Sequence, residues 1–135
     1  MPRVLVVDDD ADYRLMVRQI LQVRGFDVET VEGAFGLSAR LLHEPRVDLV
    51  LLDCMMPGLT GPAVLGVLAK NPRLAQIPLL LMSAAQHADG ILAATKHPRC
   101  RFVEKPGRLR DLVSLVEATL ADPPGGPAPP STTTN

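Results

Sequence analysis

A doubly wound α/β fold, five parallel strands with helices on both faces, is what this sequence predicts, and two observations carry the prediction. The first is a set of four apolar runs, VLVV (4–7), VDLVLL (47–52), IPLLLM (77–82) and the shorter CRFVE (100–104). Strands buried on both faces of a parallel sheet read as nearly continuous Val/Ile/Leu stretches rather than as alternating ones. The second is what stands at the end of each run: Asp8-Asp9, Asp53, Ser83 and Lys105-Pro106. In an open α/β sheet, ligands bind in the crevice beyond the carboxyl ends of the strands. Three carboxylates, a hydroxyl and an ammonium are therefore expected along one edge.

The segments between the runs have helical spacing. Tyr13, Met16, Val17, Ile20 and Leu21 fall at i, i+3, i+4, i+7 and i+8, one apolar face, with Asp10 as N-cap and Gly25 as the C′ stop. FDVETV (26–31) alternates in part and reads as an edge strand. A short helix follows around Ala34 to Leu42, ahead of Pro45. A third opens at Gly61-Pro62, since proline is tolerated in a first turn, and ends before Asn71-Pro72. The fourth, from about Gln86 to Lys96, is Ala-rich and poorly amphipathic. The last presents Leu109, Leu112, Val113, Val116 and Leu120 to the sheet. Right-handed crossovers join these units.

One domain is expected over residues 1–121, in a chain of 135 residues that is 47% hydrophobic and 21% charged. From Asp122 the sequence becomes DPPGGPAPPSTTTN, which has no apolar residue able to dock, so 122–135 reads as a disordered tail or the stub of a linker. No apolar run approaches the ~20 residues of a membrane span, and the start lacks a signal-peptide pattern. A cytoplasmic protein without membrane association is expected. Cys54 and Cys100 lack C-x-x-C spacing and read as buried free thiols. Residues 96–110 hold Lys96, Arg99, Arg101, Lys105, Arg108 and Arg110 against Glu104 alone, which fits a solvated face or a docking surface for an acidic partner. With 3% aromatic residues and no helix-turn-helix pattern, direct nucleic-acid binding is not expected.

Taken together, VVDD (6–9), the D-x-x-M-P-x-x-x-G run of Asp53, Met56, Pro57 and Gly61, Ser83-Ala84, and F-x-x-K-P from Phe102 to Pro106 resemble the response-regulator receiver domain of two-component signalling. No one of these pieces is specific; their order is. The resemblance covers roughly residues 2–121. It implies a flavodoxin-like (βα)5 fold with strand order 2-1-3-4-5.

The resemblance also implies roles. Asp53 is the phosphoacceptor. Mg²⁺ is the cofactor, held by Asp9, Asp53 and the backbone carbonyl of Met55, with Asp8 acting partly through water. A divalent cation suits the cluster, because carboxylates crowded together repel and a hard cation relieves them. Read alone, Asp8-Asp9 would be a helix cap or turn. Lys105 brings a positive charge to the phosphoryl oxygens, and the bond before Pro106 is expected to be cis. Ser83 and Phe102 are the switch pair; a plain core phenylalanine is the other reading of Phe102. Serine at 83 replaces the more frequent threonine, and Lys96-His97-Pro98-Arg99 replaces the usual small corner before the fifth strand. His43, His87 and His97 are scattered, and no role is expected for them. Met55 and Ala85 flank the path of hydrolytic water, and neither can orient that water by a hydrogen bond, so a long-lived phosphoryl group is expected.

The function expected is that of a phosphorylation-activated receiver and not an enzyme beyond its own phosphotransfer and dephosphorylation. A sensor histidine kinase or a histidine phosphotransfer protein would supply the phosphoryl group. The face from helix four through strand five to helix five would then alter the binding of a downstream protein partner. Alternatives are the receiver fragment of a larger regulator or hybrid kinase, a flavodoxin-type cofactor binder, and an interaction module independent of phosphorylation. The lack of a Ser/Thr/Gly-rich phosphate loop after VLVV speaks against the flavodoxin type.

Overall fold

The computed structural model describes residues 1–125 apart from positions 57, 59 and 85–87. Its elements are β1 (Arg3–Val7), α1 (Ala11–Val23), β2 (Asp27–Val31), α2 (Leu37–Leu42), β3 (Leu49–Asp53), α3 (Gly61–Ala69), β4 (Leu79–Ser83), α4 (Ala88–Thr95), β5 (Cys100–Glu104) and α5 (Leu109–Ala121), with a 3₁₀ turn at Leu74–Gln76. The strands form one parallel sheet in the order β2-β1-β3-β4-β5, which is the flavodoxin-like order.

Successive residues of a strand face opposite sides, so each strand feeds two cores. Leu5, Val7, Val50, Leu52, Leu79 and Leu81 pack with Leu41 of α2 and with Val64, Leu65 and Leu68 of α3. Val4, Val6, Leu49, Leu51, Leu80 and Met82 pack on the other side against Val17 and Leu21 of α1 and Leu112, Val113 and Val116 of α5. Burying each such side chain contributes about 1.5–3 kcal/mol relative to exposure. Every residue of β3 and β4 is buried, which accounts for their unbroken apolar runs. The edge strands β2 and β5 keep partly exposed residues.

The helix ends follow their local chemistry. The Asp10 carboxylate accepts the N–H groups of Asp12 and Tyr13 to start α1, and Gly25 leaves that helix at φ 91°. α2 starts at Leu37 and not at Ala34, because Gly36 is left-handed, with φ 76°, and cannot be part of a right-handed helix. α4 is described from Ala88; positions 86 and 87 of the expected helix lie outside the described residues, as does the tail from 126. No helix among the described residues is long and apolar enough to cross a membrane. Cys54 is buried and Cys100 half-buried, and neither is in a disulfide. Burial raises the pKa of Cys54 and pushes that of Cys100 up to about 12, so both stay protonated near neutrality.

Two expectations are corrected. Met16 is exposed: α1 buries the stripe of Val17 and Leu21, and Met16 flanks a shallow groove with Ile20, Val23 and Leu109. The Lys105–Pro106 bond is trans; the cis bond among the described residues is Glu44–Pro45. The two isomers before proline differ by only about 0.5–1 kcal/mol, so the dipeptide does not select one by itself. The direction of Lys105 has another source, an ion pair described below.

Candidate functional site

The parallel register brings the strand ends level. Asp53 is the last residue of β3 and pairs with Met82 of β4, so Ser83 follows one step further along the same edge, and Ser83 in turn pairs with Glu104 ahead of Lys105. The Lys105 N–H donates to the Ser83 carbonyl at 2.6 Å. Asp8 follows β1, and the carboxylates of Asp8, Asp9 and Asp53 each offer an oxygen within 4.8 Å of the others. Asp8, Asp53 and Ser83 are buried, whereas Asp9 is exposed.

The Lys105 ammonium lies 2.8 Å from Asp8 Oδ2 and 3.6 Å from Asp53 Oδ1. Asp8 is also held by the Asp10 N–H, which donates to Oδ1 at 2.9 Å. The Met55 N–H reaches Asp53 Oδ1 at 3.3 Å, a long contact that sets the backbone of Met55 beside the Asp53 carboxylate. Burial raises the Asp53 pKa above the usual carboxylate range and the charge on Asp8 adds to it, with Lys105 opposing. Burial works against the Lys105 charge, but the Asp8 hydrogen bond and the charges on Asp8 and Asp53 outweigh it and raise its pKa.

Three carboxylates cluster here, two of them paired with one ammonium, a surplus of negative charge in a partly buried cluster. Hard oxygen donors in that arrangement fit a divalent cation such as Mg²⁺, which tolerates few protein ligands and keeps waters. The glycine of the motif has a steric reason. A Cβ on Gly61 would lie 2.8 Å from the Cys54 Cα and 2.9 Å from the Asp53 carbonyl oxygen, so the chain after Asp53 can fold back only over a glycine. Pro57 and Ala85 lie outside the described residues.

Phe102 is half-buried and packs against the core beneath α4, close to Gly90. The basic stretch divides: Lys105 enters the site, while Lys96, Arg101, Arg108 and Arg110 remain exposed. Two site residues were missed by sequence reasoning. The Tyr13 ring centroid lies 4.3 Å from Lys105 Nζ, and Arg14 Nη1 donates to the Asp8 carbonyl at 2.7 Å. Their position in the first turn after the acidic pair is the available signal; helical spacing by itself shows Tyr13 only as part of an apolar face.

The sequence matches the response regulator receiver domain over residues 4–117. It is 34% identical over 119 residues to the DNA-binding response regulator MtrA of Mycobacterium tuberculosis, covering 87% of this chain and 50% of MtrA. To the transcriptional regulatory protein PrrA of the same species it is 37% identical over 120 residues, covering 88% of this chain and 50% of PrrA. Among solved structures, the response regulator TrrA of Thermotoga maritima in complex with Mg²⁺-BeF superposes with a TM-score of 0.73 at 28% identity, over 87% of this chain and 98% of that one. The Vibrio cholerae chemotaxis protein CheY4 shares the fold with a TM-score of 0.77 at 24% identity, over 87% of this chain and 98% of its own. The chain belongs to the response regulator receiver family, a signalling domain rather than a classical enzyme, and its acidic pocket fits a phosphorylation site. It spans about half the length of the curated relatives it matches. The flavodoxin-type reading is set aside by the family match.

Proposed function

We propose that Asp53 accepts a phosphoryl group from a histidine on a sensor kinase or phosphotransfer protein. The observation that carries this reading is the placement of the half-buried Lys105 ammonium between Asp8 and Asp53 at the carboxyl edge of the sheet. An Asp53 oxygen forms the new P–O bond as the donor's P–N bond breaks, and the released imidazole takes up a proton. Phosphoryl transfer passes through a loose transition state, so position and neutralisation of charge are what the protein contributes. Lys105 supplies one positive charge. Asp9, Asp53 and the Met55 carbonyl would hold Mg²⁺, with Asp8 partly through water, and the ion would neutralise the phosphoryl oxygens. Ser83, at the end of β4, then turns its hydroxyl to the phosphoryl group while Phe102 repacks, and the α4–β5–α5 face changes its affinity for a downstream protein partner. The receiver works in the cytoplasm.

Support for the metal comes from the chemistry of the donor set, and the TrrA structure was solved with Mg²⁺-BeF. MtrA is named a DNA-binding regulator, and the match to this chain covers 50% of it. Intact-mass spectrometry after treatment with acetyl phosphate tests the main reading. One phosphoryl group is expected in the presence of Mg²⁺, none with EDTA and none on an Asp53→Asn variant. Equal labelling of that variant, or indifference to EDTA, would overturn the assignment.

A further inference from the structure

The ammonium of Lys105 is enclosed on three sides. Asp8 Oδ2 takes one donor at 2.8 Å, Asp53 Oδ1 lies 3.6 Å away, and the Tyr13 ring centroid stands at 4.3 Å. The root of that ring is fixed by the helix cap, since the Tyr13 N–H donates to the Asp10 carboxylate at 3.2 Å. One aspartate thus both starts α1 and fixes the backbone from which the ring extends toward the lysine.

We propose that Tyr13 is a positioning residue for Lys105: its ring closes the solvent side of the ammonium and holds it between Asp8 and Asp53, ready for the incoming phosphoryl group. This rests on Asp53 being the acceptor. An aromatic face attracts a cation through its quadrupole, more strongly where water is excluded. A lysine stem is flexible and its ammonium strongly hydrated, so holding it at one point in advance removes an ordering cost from the transfer step. Burial outweighs the opposing Lys105 charge and keeps the Tyr13 phenol above its ordinary pKa, so the contact is made by a neutral ring and not by a phenolate. The ring, and not the hydroxyl, is the working part.

Lysine reactivity reads this directly, without metal or phosphodonor. The chain has lysines at 70, 96 and 105, of which Lys70 and Lys96 are exposed and serve as internal references. Competitive acetylation with acetic anhydride, followed by peptide mass spectrometry, should label Lys105 more slowly than both in the parent. Tyr13→Leu should raise its relative labelling about three- to tenfold, and Tyr13→Met, a second aliphatic replacement, should do the same. Tyr13→Phe should stay close to the parent. In Mg²⁺ and acetyl phosphate, where the Asp53 oxygen forms a P–O bond as the bond to the departing acetate breaks, the Leu and Met variants should be phosphorylated more slowly by a similar factor and the Phe variant should not. If Lys105 labels in the folded Leu or Met variant as it does in the parent, while the parent is phosphorylated on Asp53, the inference is overturned and the acceptor assignment stands. A parent that takes no phosphoryl group, with Lys105 still unmasked in the Leu variant, would instead overturn the acceptor assignment and leave the ring–ammonium contact in place.

Discussion

Gly90 of α4 sits directly against the ring of Phe102: a Cβ at this glycine would lie 2.8 Å from Phe102 Cε1 and 2.8 Å from Cys54 Sγ. α4 therefore rests on β5 and on Cys54, the residue that follows Asp53. A change in the packing of Phe102 has a short route to the exposed side of α4, where Ile91 and Leu92 face solvent.

Gly90→Ala is expected to destabilise the protein by about 1–2 kcal/mol in urea unfolding, because overpacking outweighs the roughly 1 kcal/mol that alanine gains over glycine in a helix. A gain in stability would show that α4 can move away from Phe102 at no cost.

Asp53→Asn should raise the melting temperature in metal-free buffer at pH 7 by roughly 2–5 °C. The pKa of Asp53 is raised, by burial first and Asp8 second, so its charged form is less comfortable folded than unfolded. The sign follows: its unfavourable contribution is present above the folded pKa and fades as pH falls through that value. The same variant should lose the stabilisation that added Mg²⁺ brings to the parent. Scanning calorimetry with and without Mg²⁺ checks both outcomes.

His97, in the corner before β5, is buried; its Nδ1 accepts the Arg99 N–H at 3.0 Å, and Nε2 has no hydrogen-bond partner among the described residues. Burial lowers its pKa from the ordinary 6.5. The unfolded chain then takes up a proton that the folded chain resists, so stability is complete above about pH 6.5 and falls as pH drops toward the folded value, by at most about 1.4 kcal/mol per pH unit. His97→Asn should flatten the decline between about pH 7 and 5.5. An equal decline in both proteins would assign the loss to the carboxylates.

Met55 is exposed beside the Asp53 carboxylate and has no polar group in its side chain with which to orient water. The phosphorylated protein should therefore keep its phosphoryl group for minutes or longer, and Met55→Asn should shorten that time severalfold. Decay followed after removal of the phosphodonor gives the answer. Fast loss in the parent, unchanged in the variant, would place control of water elsewhere.

Sequence alone determined the strands, the layers and the chemistry of the edge. A strand buried on both faces must be apolar along its length, and where the run stops the chain reaches the polar edge of the sheet, so Asp8, Asp53, Ser83 and Lys105 announced themselves by position. Tertiary structure decided what depends on residues distant in the chain. Tyr13 over Lys105, Gly90 against Phe102 and the burial of His97 are contacts between separate elements, and no local periodicity encodes them. The exposure of Met16 is of the same kind, since a helical stripe shows which side faces inward but not how far the neighbouring helix extends to cover it. The trans bond at Lys105–Pro106 belongs here too: the small energy difference between isomers leaves the choice to the surroundings, and here the ion pair with Asp8 directs the lysine.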